Sequence, residues 1–199
     1  YANCGDEFAK PSKAFFTEEP SVQGGFLTAE AQPYPALSWY CGLLFFFKQK
    51  TAYEIRKALP ALFNDAGADT VRYRCDWYST LSQQIADAYF KQIRGWCEAH
   101  KVASTGHLLW EESLLYHAPF YGSVFPPLRE LDWPGIDVLG CGRQATQGSH
   151  IEGGPVAPKL ISSAAHIYGK PRTMTESFCF VSKKDKPIEE LIAHVAWQW

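Results

Sequence analysis

Short apolar runs that end in acids, alternating with amphipathic helices, predict an α/β fold of parallel strands joined by helical crossovers. Four such runs and three helical periodicities carry the prediction. Two long Gly- and Pro-rich connections, 20–42 and 141–157, add to it. Loops of that length after strand C-termini are where a substrate cleft is built in such a fold.

The first run, "KAFFTEEP" (13–20), takes Phe15 and Phe16 straight into Thr17, Glu18 and Glu19. It reads as a strand that leaves a core and delivers an acid to a rim, although an ordinary strand ending in a charged turn has the same pattern. Residues 80–100 form the first helix, with Leu81, Ile85, Tyr89, Ile93 and Trp96 at near-helical spacing and Thr80 with Gln83 as a capping box. "VASTGHLLWEE" (102–112) and "WPGIDVLG" (133–140) are the second and third strands. Residues 158–168 form a second helix, opened by Pro158 and stopped by Gly169. "PRTMTESF" (171–178) is the fourth strand, and 187–199 the third helix, with Ile188, Leu191, Ile192, Val195 and Trp199 on one face. The strands are expected to end in Glu19, Glu111, Asp137 and Glu176. In a (β/α) barrel such ends form one rim, where chemistry collects. The expected fold is therefore a partial (β/α)8 TIM-type barrel, truncated at both ends. The chain opens at Tyr1 without a methionine and stops at Trp199 within a helical pattern, as a piece of a longer protein would. Residues 1–199 read as a single partial catalytic domain.

Composition excludes several classes. With 199 residues, 46% of them hydrophobic, and a net charge of −2, the chain has material for one core and too little charge bias for nucleic acid or a membrane surface. No run approaches the ~20 apolar residues that span a bilayer. The six cysteines (Cys4, Cys41, Cys75, Cys97, Cys141 and Cys179) are scattered without a C-x-x-C pair, which disfavours structural zinc and a disulfide scaffold. Free, buried thiols are the simplest reading. Residues 45–55, "FFFKQKTAYEI", stand apart. From Lys48 to Glu54 they match the translation of a common sequencing-library adapter, so they read as a non-native insertion or replacement and are assigned no function.

Hydrolysing a glycosidic bond usually takes two carboxyl groups, one to protonate the leaving oxygen and one to attack the sugar carbon or activate a water. Glu19 and Glu176 lie far apart in sequence, yet a barrel brings such strand ends together. "FFTEEP", "STGHLLWEES", "PGIDVLG" and "GKPRTMTESF", in this order, resemble the catalytic half of (β/α)-barrel glycoside hydrolases, most of all the bacterial α-L-rhamnosidase type, glycoside hydrolase family 106. The resemblance covers nearly the whole chain outside the adapter-like stretch. It extends to the clan in which "NEP" ends the fourth strand with the acid/base and a glutamate ends the seventh with the nucleophile. That pattern implies Glu19 as acid/base and Glu176 as nucleophile. Glu18 replaces the asparagine that holds the sugar's 2-hydroxyl there, a departure from the pattern. The family 106 likeness instead implies an inverting mechanism, allows calcium, and makes Glu111 a candidate for one of the pair. The carboxyls would then stand ~6.5–9.5 Å apart instead of ~5–5.5 Å. The expected partner is a carbohydrate, with no nucleic acid and no membrane, acted on outside the cell or in the periplasm. The isolated piece is expected to be inactive.

Further residues carry weaker expectations. His107 suits a hydrogen bond to a sugar hydroxyl, although a satisfied core histidine is commoner. Trp110 and Trp39 suit stacking on a pyranose face, with core packing the commoner use. Asp137 falls at the expected sixth strand end. Arg74 and Asp76, expected just before a helix, could reach the cleft or form a surface pair. His117, His150 and His166 lack metal-ligand spacing. Two rival functions stay open: a non-catalytic carbohydrate-binding barrel, and a metal-dependent barrel hydrolase with His107, Glu111 and Asp137 on an ion.

Overall fold

The computed structural model describes residues 14–17, 20, 58–111, 113–138, 156–178 and 187–198. Glu18, Glu19, Trp39, His150, the adapter-like stretch and nearly all of both long loops lie outside these residues. So do Cys4, Cys41, Cys141 and Cys179.

Four parallel strands form the sheet, in the order β1 (Ala14–Thr17), β2 (Ala103–Gly106), β3 (Trp133–Val138) and β4 (Met174–Ser177). Parallel neighbours need crossovers, and the chain supplies helices. Between β1 and β2 runs one long helical rod: α1 (Thr70–Ile85), a π turn (Ala86–Phe90) and α2 (Lys91–Ala99). Two short helices, α3 (Leu114–Tyr121) and α4 (Phe125–Glu130), lead into β3. Helix α5 (Val156–Ile167) precedes β4, and α6 (Ile188–Gln198) follows it. The sheet is thus mixed α/β in class, parallel and crossed over by helices, as expected.

The rod begins ten residues earlier than the periodicity at 80–100 suggests. Tyr73, Trp77, Leu81 and Ile85 are all buried at a spacing of four, so one apolar stripe runs unbroken from the start of α1. Thr80 caps nothing; its hydroxyl donates to the Asp76 carbonyl inside the helix at 2.7 Å. The π turn rotates Phe90 fully into the core and carries the Tyr89 hydroxyl to within 2.8 Å of Thr17 Oγ1 at the end of β1. Farther on, the Trp96 ring meets Phe15, 5.5 Å between centroids.

The core lies on one face of the sheet. Ile136 and Val138 of β3 pack with Leu81, Phe90, Leu128, Leu131 and Ile161 from the surrounding helices. Side chains alternate across a strand, so Asp137 belongs to the opposite face, as does Glu176, its register partner on β4. At the N-terminal end a reciprocal clasp sets the β2–β3 register. Ser104 donates its N–H and its hydroxyl to Asp132 Oδ2, at 2.8 and 3.0 Å, and the Asp132 N–H returns to the Ser104 carbonyl at 3.0 Å.

Cys75 is exposed and Cys97 buried, both as free thiols. Burial, with Asp132 nearby, pushes the Cys97 thiol up to about 11, which leaves it unreactive at neutral pH. Among the described residues, no helix is long and apolar enough to cross a membrane.

Candidate functional site

The site starts from a glycine. Strand β2 stops at Gly106, whose φ of +155° suits a residue without a Cβ. A Cβ there would overlap the carbonyl oxygen of Thr17, its register partner on β1. Gly135 is comparable: a Cβ on it would strike the Gly106 carbonyl and the Met174 side chain. The two glycines let the strands close up at this end of the sheet.

His107, the residue after β2, is fully buried there. Its Nε2 lies 2.9 Å from Glu176 Oε2 on β4, two strands away. Its Nδ1 lies 3.3 Å from the Leu108 carbonyl and 3.8 Å from Glu111 Oε1, the latter too long for a hydrogen bond. The Phe16 ring stands 5.5 Å from the imidazole, centroid to centroid. Glu111 is 3% exposed, and its Oε1 accepts the Asp137 N–H at 2.7 Å. Glu176 is 33% exposed at its side chain. So the described structure gathers four of the residues singled out in the sequence, His107, Glu111, Asp137 and Glu176, at the C-terminal end of the sheet. Three are carboxylic acids and one is an imidazole between two of them. Among the described residues, no group of three or more His, Cys, Asp and Glu side chains is arranged to hold a metal ion.

The order within the cluster differs from the sequence expectation. Glu111 does not end a strand; β2 stops five residues earlier, and Glu111 folds back from the loop to bond the backbone of β3. His107 lies beneath the rim and meets a carboxylate instead of open space. Trp110 is half-buried in the same loop, at φ +63°, with its ring 5.5 Å from Tyr116. Arg74 and Asp76 are corrected outright: they lie within α1 and not ahead of a helix. The Arg74 guanidinium donates to the carbonyls of Ala61 and Asn64, at 2.8 and 3.2 Å, which ties the segment before α1 to that helix. Glu19 is outside the described residues, but Thr17, two positions before it, ends β1 on the same end of the sheet as His107.

The loop that carries His107 and Glu111 is held from behind by two residues of α3. The Tyr121 hydroxyl accepts the Leu109 N–H at 3.3 Å, and His117 Nδ1 donates to the Leu109 carbonyl at 2.9 Å. The two rings stack with centroids 4.8 Å apart. Nothing in the sequence marked this clamp. Its signal, an i and i+4 pair of ring residues in a Pro-containing stretch, carries no chemistry by itself.

Burial pulls the His117 imidazole down from 6.5 to about 4, against a smaller opposing effect of its backbone hydrogen bonds. The sign follows by linkage. Above pH 6.5 the ring is neutral in folded and unfolded chains, and its contribution is complete. Between pH 6.5 and 4 the unfolded chain takes up a proton that the folded chain refuses, so stability falls, by an amount on the order of 3 kcal/mol. Urea titrations at pH 7 and pH 5 are expected to show about 2 kcal/mol of this loss in the native protein. His117→Gln should lower stability at pH 7 and flatten the difference between the two pH values. An equal acid loss in the variant would show that other groups cause it.

No known family model, curated protein or solved structure matches the chain.

Proposed function

We propose that the chain is part of a glycosidase, built on a (β/α)8-type barrel, that removes a terminal sugar from a polysaccharide or glycoside. Two features support the barrel. The strand order 1-2-3-4 runs without reversal, and the core helices pack on the face that bears Ile136 and Val138. A doubly wound sheet reverses its order and carries helices on both faces.

The observation that carries the chemistry is Glu176. One third of its side chain is exposed, one oxygen is bonded to a buried histidine, and it stands at the strand end where barrel enzymes act. A fixed carboxylate that still meets solvent is suited to attack a sugar carbon or take a proton from water. The opposing carboxyl in this reading is Glu19, with Glu18 beside it; Trp110 and Trp39 flank the sugar. A purely carbohydrate-binding barrel would have no use for the buried partners behind Glu176. A metal-dependent hydrolase would use His107, Glu111 and Asp137, which lie at the same end of the sheet. Here His107 Nε2 meets Glu176 and Glu111 Oε1 accepts the Asp137 N–H, so ligation through those two atoms would compete with both bonds.

The test is sugar release by the intact protein from a panel of aryl glycosides, with and without a chelator. Release that survives chelation is the expected result. Release abolished by the chelator and restored by a divalent ion would move the chemistry to a metal. No release from any substrate would leave the binding barrel.

A further inference from the structure

We propose that His107 is a positioning residue that acts through Glu176, with Glu111 on the far side of its ring, and that Glu176 serves as base or nucleophile. The chemistry rests on the glycosidase reading; the geometry stands without it. Among the described residues, the polar atoms found against the imidazole are oxygens: Glu176 Oε2 at Nε2, and the Leu108 carbonyl and Glu111 Oε1 on the Nδ1 side. The ring is fully buried, so the contact with Glu176 has to be satisfied within the protein. A 2.9 Å contact between a ring nitrogen and a carboxylate oxygen needs a proton between them. In this assignment the proton sits on Nε2, and Glu176 Oε2 accepts it.

A carboxylate held by an N–H donor has its orientation fixed and keeps its remaining lone pairs for a sugar carbon or a water. In the reaction, Glu176 gives an electron pair either to the anomeric carbon or to a proton of the attacking water. The glycosidic bond breaks with its electrons on the leaving oxygen, which takes a proton from the opposing acid. Glu111 stands on the far side of the ring and is itself anchored by the Asp137 N–H, next to Glu176 in register. Two separate bonds therefore tie this loop to its neighbours, His107 to Glu176 on β4 and Glu111 to the Asp137 N–H on β3. His107, suggested by sequence as a contact to the sugar, becomes a residue that never touches it.

The experiment uses the intact protein as wild type, H107N, H107Q, E176Q and H107Q/E176Q, with two readouts. Glycoside kinetics should show kcat lowered in H107N by ~10–10³-fold with KM little changed, and part of the loss recovered in H107Q, whose amide can still donate near the Nε2 position. Adding H107Q to E176Q should cost nothing further, because the histidine acts only through that carboxylate. The second readout is NMR of protein labelled with ¹⁵N-histidine, where the His107 Nε2–H signal should move in E176Q. Losses that add in the double variant, an effect on KM alone, or a His107 signal unmoved by E176Q would each overturn the assignment. If the wild type releases no sugar, the glycosidase reading falls, and the NMR result still decides whether His107 and Glu176 form the pair.

Discussion

Glu176→Gln is expected to lower kcat for glycoside hydrolysis by ~10²–10⁴-fold while leaving KM and the melting temperature close to those of the native protein. The substitution removes a charge and almost no volume. The glutamine carbonyl oxygen can still accept the His107 Nε2–H, so the site should keep its shape. What is lost is the electron pair of a carboxylate, which an amide cannot offer to a sugar carbon or a water. Because a third of the Glu176 side chain is exposed, its contribution to stability is small, and rate and melting temperature should separate cleanly. Rate retained within a few-fold would move the chemistry elsewhere in the cluster, Glu111 first.

Gly106→Ala is expected to cost about 3–5 kcal/mol, a fall in melting temperature of roughly 10 °C. Two causes act together. The backbone has φ +155°, and the new methyl would overlap the Thr17 carbonyl across the β1–β2 pair. Relief would require β1 to move away from β2, and His107 follows directly in the chain. Activity should therefore fall with stability. Gly95→Ala is the matched control. Gly95 is exposed within α2, an added Cβ meets nothing within 4 Å, and alanine is the better helix former. It should stabilise by about 0.5–1 kcal/mol. Equal melting temperatures for the two variants would contradict the close packing of strands on which the site depends.

Much of the fold was legible because local chemistry and tertiary packing agree. Pro158 lies in the first turn of α5 and Gly169 follows its end, and the helix spans Val156–Ile167 in place of the expected 158–168. Helix α6 follows its apolar face in the same way, although Ile188, Ile192 and Val195 of that face are exposed among the described residues. The expectation failed where local signals compete. Thr80 and Gln83 imitate a capping box in mid-helix, while the true start at Thr70 has no side-chain cap. Helices α3 and α4 were not among the expected elements, and both contain proline, at Pro119, Pro126 and Pro127. Pro126 and Pro127 sit in the first turn of α4, where no N–H is needed, and Pro119 falls inside α3.

The site was legible as residue types and not as an arrangement. His107, Glu111, Asp137 and Glu176 could each be named, but His107 and Glu176 stand 69 positions apart. Their meeting depends on the bare faces of Gly106 and Gly135, and on the loop being held at Leu109 by Tyr121 and His117. No spacing rule encodes that. Sequence also could not tell which acid stays in the water. Glu111 and Glu176 look alike at the ends of apolar runs, yet one is buried against the backbone of β3 and the other remains exposed.

The most direct measurement is a crystal structure of the intact E176Q protein soaked with a glycoside that the native protein cleaves. The anomeric carbon, or one water in contact with it, is expected within ~3–3.5 Å of the substituted amide at position 176, with His107 beneath and out of contact with the sugar. A sugar seated away from position 176, or a metal ion bound between His107, Glu111 and Asp137, would contradict it.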